Sequence, residues 1–375
     1  MTKDNFRENT PGDASEHRSA TPLLSRAECN IMRGLAIIFI ITNNFTHLLK
    51  GVFPDNEYKY DWQNVVGFMN NLSHPDAVLP FNLISFYCPY GVMLFIFLSG
   101  YGLVLKYEKG IGQGVSRWSF ISSHYNKMFT MQLKGLALYI TVAMLANPHY
   151  FFRGRDILLQ AFMVGNLNPH GEILPGPYWF FGMIVEMYVI YRLLIYRRSD
   201  KVMWAMVALS LAVMAFVAPN SLTMKFLRIN CFLAMLPFCM GVFAARHLHV
   251  GSFSLNKAGT CMGWFVLSFI LLTLCKFNFY SWLVMPVFII ATAVTIVKLI
   301  SRVQVLDNFF GWFGALSGVL FVVHPTLRIL LLGKAYESES FYTFTIIYLL
   351  TTIGLSMLLK SAFSTKKKAS LKSEE

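Results

Sequence analysis

Apolar runs long enough to cross a bilayer recur along most of the chain. A crossing helix takes about 20 apolar residues, and the runs predict spans at about 32–49, 83–105, 127–146, 178–196, 202–218, 226–245, 259–275, 280–299, 310–332 and 341–360. A shorter run at 157–168 ends in the polar stretch N-P-H-G-E and reads as re-entrant or interfacial. A polar loop fills 50–80, with Asp55, Glu57, Asp61 and Asp76. Residues 1–28 read as a disordered cytoplasmic tail and 362–375 as a basic cytoplasmic tail. One membrane domain is left over 29–361. The expected fold class is all-α: a polytopic membrane protein of about ten transmembrane helices plus one re-entrant or interfacial segment.

The first apolar run breaks its own pattern. It carries Arg33 at one end and Asn43, Asn44, Thr46 and His47 in the other half. An unsatisfied polar group in hydrocarbon costs several kcal/mol. Such groups therefore turn toward a protein interior or a water-filled cavity. At about 100° per residue, Asn44 falls roughly 20° and His47 roughly 40° from the face of Arg33. The three form one polar stripe, with Arg33 and Asn44 about 16 Å apart along the axis.

Composition fixes the class. The chain is 55% hydrophobic and 14% charged, with mean hydropathy +0.52; soluble domains carry about 25% charged residues. The formal charge of +13 does not point to nucleic acid here. The basic residues sit in short loops between apolar runs, which is a topology signal and a means of meeting anionic lipid. With ten crossings and the N-terminus inside, Lys106, Lys109, Arg117, Arg197, Arg198, Lys201, Arg246, Lys257, Arg302 and the tail lysines 366–368 all fall on the cytoplasmic side. Arg153 and Arg155 are the main exception. The six cysteines lack close pairing and read as buried thiols, with no metal site implied.

Several stretches resemble one family in order along the chain, from about residue 25 to 360. They are R-G-L-A-I-I-F-I-I-T-N-N-F at 33–45, G-V-M-L-F-I-F-L-S-G-Y at 91–101 and F-I-S-S-H-Y-N-K at 120–127. They continue with P-Y-W-F-F-G-M-I-V-E-M-Y at 177–188, L-P-F-C-M-G-V-F at 236–243 and A-L-S-G-V-L-F-V-V-H-P at 315–325. The set is similar to the membrane acyltransferase 3 family, ten-helix O-acyltransferases of bacterial surface glycans. Three positions depart from the family pattern. Its first-helix His is Asn44, its third-helix Arg pair is His124 and Lys127, and its ninth-span Tyr is Phe321 or is shifted.

The resemblance implies a multi-pass protein of the bacterial inner membrane. It implies a donor substrate, acyl-CoA and foremost acetyl-CoA, with no bound cofactor or metal. The acceptor would be a hydroxyl of a glycan or lipid-linked sugar. The catalytic candidates are His47 as general base, Asn44 to orient the acceptor or donate to the oxyanion, and Glu186 as a carboxylate partner. Arg33, His124, Lys127, Ser99, Trp179 and His324 are the donor- or substrate-binding candidates. Each has a plainer reading. His47 could cap a helix, Glu186 could sit in a structural pair, and His324 could satisfy a carbonyl freed by Pro325. Ser99 could serve close helix packing, and Arg33, His124 and Lys127 could serve topology. A second reading of the whole chain is non-enzymatic: a degenerate member acting as a glycan or lipid-intermediate carrier, transporter or assembly partner. A reporter fused after Lys368 is expected to read inside the cell, and one fused at Gly165 to give no stable crossing; an external signal after Lys368 would refute the topology.

Overall fold

The computed structural model describes residues 21–147, 149 and 151–363. Most of the expected N-terminal tail and nearly all of the C-terminal one therefore lie outside the described residues. The architecture is helical throughout: α1 (Arg26–Thr46), α2 (Trp62–Ser73), α3 (Leu79–Tyr87), α4 (Gly91–Leu103), α5 (Arg117–Ala146), α6 (Gly154–Ala161), α7 (Trp179–Ile190) and α8 (Asp200–Ala215). There follow α9 (Leu222–Arg228), α10 (Cys231–His247), α11 (Ala258–Cys275), α12 (Phe279–Val284), α13 (Pro286–Ile300), α14 (Gln304–Ser338) and α15 (Phe341–Phe363). Single π-helical turns extend α4 through Val104–Glu108 and α7 through Tyr191–Ile195.

Seven stretches are long and apolar enough to cross a membrane. The other expected crossings fall short for visible reasons. Asn30, Arg33, Asn43 and Asn44 depress the hydropathy of α1. The helix α8 has 16 residues, and Pro286 starts α13, which has 15. Two expected boundaries move. The polar loop at 50–80 contains α2 and the start of α3, because Asp61 caps α2 by accepting from the Gln63 amide. The third span starts at Arg117, ten residues before the expected 127, with Ser116 as its cap. The doubtful run at 157–168 becomes the eight-residue α6 and a short 3-10 turn; eight residues rise only about 12 Å.

The start of α1 is fixed by its cap. Ser25 accepts from the Glu28 amide at 3.2 Å, and the Ser25 amide donates to Glu28 Oε2 at 2.8 Å. The same carboxylate takes Lys298 Nζ of α13 at 2.8 Å in a buried ion pair. Nearby, Arg246 binds Glu108 through Nε at 2.9 Å and Nη2 at 2.7 Å, and Asp200 through Nη1 at 2.6 Å. These contacts tie α1, α4, α8, α10 and α13 together at one end of the bundle. At the opposite end the chain segment 53–61 is pinned by long-range bonds. Arg228 Nε donates to the Glu57 carbonyl at 2.7 Å, Trp282 Nε1 to the Asn56 carbonyl at 2.9 Å, and Tyr60 Oη to the Lys276 carbonyl at 3.2 Å. Lys276 is buried beneath this segment, its ammonium 3.2 Å from Tyr90 Oη; burial lowers its pKa to about 7.

Helices touch backbone to backbone at glycines, α1 and α14 among them. A Cβ added at Gly314 would lie 2.0 Å from the Asn30 carbonyl oxygen, and one at Gly34 would lie 1.9 Å from that of Phe310. The α4–α10 crossing repeats the arrangement, with Gly100 against Phe238 and Gly241 against Phe97. Small residues permit such approach in membrane helices. In contrast, α11 leaves Trp264, Val266, Leu267 and Ile270 exposed, as lipid-facing side chains are. Gly314→Val is therefore expected to lower stability in detergent by about 1–3 kcal/mol or more. Gly263→Val, where nothing lies within 4 Å, should change it little. Equal melting temperatures for the two variants would refute the crossing.

Candidate functional site

Two polar cavities enter the bundle near its two ends. The first lies beside the N-terminal half of α1 and measures about 400 Å³. Arg33 of α1, Ser99 of α4, Lys106 of its π-helical extension, His124 and Lys127 of α5 and Tyr188 of α7 line it. No carboxylate lines it, and among the described residues Arg33, Lys106 and Lys127 make no ion pair. The His124 Nδ1 donates to the Phe120 carbonyl at 2.8 Å, which fixes the ring against Phe120 and Tyr188. Ser99 Oγ donates to the Phe95 carbonyl at 2.8 Å, the usual satisfaction of a hydroxyl inside a helix. Lys106 belongs to this wall as well. The sequence alone places it among the topology lysines; it is exposed at the cavity mouth, on a π-helical turn that no spacing rule anticipates.

The second cavity, about 450 Å³, lies beside the C-terminal end of α1. Asn44, His47, Glu57, Tyr58, Trp179 and Arg328 line it, with Arg153, His170, Glu172 and Lys225 among its other walls. His47 is the C-cap of α1, and its Nδ1 is 2.5 Å from the Asn43 carbonyl oxygen. A carbonyl only accepts, so Nδ1 carries the proton and the neutral ring keeps its lone pair on Nε2. Capping and basic character thus coexist in one side chain. Asn44 has both ends of its amide engaged: Nδ2 donates to the Ile40 carbonyl at 3.0 Å, and Oδ1 accepts from Arg328 Nη1 at 3.1 Å. Trp179 Nε1 donates to Tyr58 Oη at 2.9 Å, the rings edge to face. Burial, followed by the neighbouring Asp55, pushes Glu57 well above the usual carboxylate range. Arg328 and Glu57 were not anticipated as site residues. The signal for Arg328 was available: it stands one helical turn beyond His324, inside an apolar run.

The remaining candidates lie elsewhere. Glu186 lines neither cavity. Its Oε1 accepts from Asn166 Nδ2 at 2.5 Å and its Oε2 from the Cys231 amide at 2.9 Å. It stands at the N-terminus of α10, whose free amides seek acceptors, and it fastens the 3-10 turn after α6 to that helix. His324 is fully buried, with Nδ1 donating to the Leu320 carbonyl at 3.2 Å and Nε2 unpartnered. An aromatic layer stands between the cavities. Phe95 lines the first, Phe180 stacks edge-on to both Phe95 and Phe321, and Phe321 meets His324. On α7, Trp179 faces one cavity and Tyr188 the other, about 14 Å apart along the axis.

This two-ended arrangement accompanies a match over nearly the whole chain. The family model described as "Acyltransferase domain" matches residues 26–360. The chain belongs to this acyltransferase family. It is thus a multi-pass membrane acyltransferase by family. No curated protein and no solved structure matches it significantly. Among the described residues, no group of three or more His, Cys, Asp and Glu side chains could hold a metal ion.

Removing the Glu186 carboxylate strands the Cys231 N–H and one hydrogen of Asn166 Nδ2, whose other goes to Asn230 Oδ1 at 2.6 Å. Glu186→Ala is expected to cost about 1–3 kcal/mol of stability. Glu186→Gln keeps one acceptor and should cost less. Thermal unfolding in detergent checks both, and a Glu186→Ala protein with wild-type stability and no turnover would instead place the carboxylate in the chemistry.

Proposed function

We propose that this acyltransferase moves an acyl group, foremost acetyl, from cytoplasmic acyl-CoA to a hydroxyl of a cell-surface glycan or lipid-linked sugar across the bacterial inner membrane. The observation that carries this reading is the first cavity, where Arg33, Lys106 and Lys127 converge with no carboxylate among them. Arginine and lysine form charge-assisted bonds to phosphate, and the CoA phosphates supply the missing negative charge. The ten-crossing topology, with both termini cytoplasmic, sets this cavity at the inner face. Within it the membrane domain is 29–361. His124 adds a further donor at the same wall.

The acceptor occupies the second cavity. Nε2 of His47 takes the proton of the acceptor hydroxyl as its oxygen attacks the thioester carbonyl carbon. A C–O bond forms, the C–S bond breaks, and the proton is returned to the leaving thiolate of CoA. Asn44 stands where the family has its His and acts by holding Arg328 at the cavity wall. Trp179 and Tyr58 offer aromatic surface to a sugar ring. For the thioester to reach His47, the acyl end of CoA must pass Phe180 and Phe321. These side chains are the part of the protein that must yield.

Full-length protein in liposomes, supplied with radiolabelled acetyl-CoA and extracted cell-surface glycan, tests both halves. His47→Ala is expected to lower transfer about 10²–10⁴-fold while CoA binding stays intact. Arg33→Ala is expected to weaken CoA binding roughly tenfold or more while the protein remains folded. Full transfer by His47→Ala would remove the base assignment. Absence of CoA binding by the wild type would favour the non-enzymatic reading, in which a degenerate member serves as a carrier, transporter or assembly partner.

A further inference from the structure

Arg328 needs an explanation that the reaction above does not supply. It lies within Gln304–Ser338, a stretch long and apolar enough to cross a membrane, where charged side chains are rare and turn toward a partner or a water-filled cavity. Among the described residues no carboxylate pairs with it; its bonds go to the backbone and side-chain oxygens of Asn44. It faces the second cavity together with Lys225 of α9 and Arg153, the residue before α6. Neither of these makes an ion pair among the described residues. Two helices and the residue that precedes a third thus bring three cations without an ion pair among the described residues to one cavity, Arg328 half-buried and Lys225 and Arg153 exposed.

The acidic side chains of the cavity do not balance them. Glu172 is exposed like Lys225 and Arg153 and offsets one of them, which leaves three cations against two acids. Glu57 is held toward its neutral form by burial and by Asp55. The cavity that holds His47 therefore carries an excess of positive charge. One developing oxyanion would need one or two donors. Three cations on separate elements suit a fixed negative group on the bound molecule.

We infer that the molecule accepted in the second cavity carries an anionic group, carboxylate or phosphate, bound by Arg328 with Lys225 and Arg153 beside the hydroxyl that is acylated. The inference rests on the proposed function only in calling that molecule the acceptor; the preference for an anion follows from the wall itself. Carboxylate would come from an acidic sugar and phosphate from a phosphodiester-linked polyol or a lipid-linked sugar.

The test is a binding measurement, independent of turnover. Full-length protein in a neutral detergent is titrated calorimetrically with three probes of similar size: a trigalacturonate, a glycerol-phosphate trimer and a neutral trigalactose. One of the two acidic probes is expected to bind about tenfold or more tighter than the neutral one at low salt, and less so as salt rises. The arm that binds identifies the source of the anion. Arg328→Gln and Lys225→Gln should each lower that affinity severalfold and leave the neutral probe unchanged. Equal affinities for all three probes, binding of none at millimolar concentration, or equal loss of acidic and neutral probes in Arg328→Gln would overturn the inference. If Arg328→Gln instead slows acetyl transfer to every acceptor equally without changing binding, Arg328 is an oxyanion donor and the inference also fails. His47→Ala separates the two readings: acidic preference retained by a protein that cannot transfer acyl groups supports the wall and not the base.

Discussion

The close approach of α1 and α14 sets the position of nearly every polar side chain discussed above. At Gly34 and Gly314 each backbone meets the carbonyl oxygen of the other helix with no room for a Cβ. That contact fixes the spacing of the two helices near their starts. Further along, the same pair brings Asn44 within 3.1 Å of Arg328, and near their ends Lys50 meets Glu339 at 3.3 Å. One helix therefore presents Arg33 to the first cavity and Asn44 and His47 to the second, while its neighbour brings Arg328 to the same place. Without the glycines the helices would part, and the half-buried Arg328 would lose the hydrogen bonds it makes to Asn44.

The bundle meets the demand for internal satisfaction of polar groups differently at its two ends. At one end it uses charge: Arg246 serves Glu108 and Asp200, and Lys298 serves Glu28. At the other, beside the exposed Lys50–Glu339 pair, it uses bonds from large side chains to the backbone of segment 53–61, with the Arg228 guanidinium lying 3.9 Å over the Trp282 ring. The first end is pinned by ion pairs on helix termini. The second is a chain segment folded over the helix ends, and it delivers Glu57 and Tyr58 to a cavity wall.

Much of this was legible in the sequence and some was not, for physical reasons. The helical class followed from long apolar runs and few charges. The stripe on α1 followed from the 3.6-residue period, and the cavities lie at its two ends as that stripe implies. Ser99, His124 and Lys127 could be named because they sit in ordered motifs, and all three face the same cavity as Arg33. Glu57 and Tyr58 could not, because their position depends on bonds to Arg228 and Trp179, more than a hundred residues away. Glu186 misled because a lone acid in an apolar run looks the same whether it serves a substrate or a helix N-terminus. The expected boundaries of the loop at 50–80 failed for a local reason: the cap at Asp61 is compatible with either a turn or a helix until the following apolar residues find a surface.

The aromatic layer of Phe95, Phe180 and Phe321 has an electrical consequence. Under the proposed topology the polar cavities reach in from opposite faces and conduct better than hydrocarbon, so a voltage across the membrane would fall mainly over the thin apolar partition left between them. Moving one elementary charge through 100 mV takes about 2.3 kcal/mol. A neutral acyl group crosses that partition without such work, whereas a free proton or a phosphate does not. The layer would thus act as an insulator that the neutral acyl-thioester end of CoA traverses cheaply, and the resting potential of the cell would do no work on a proton that leaves again on the neutral CoA thiol.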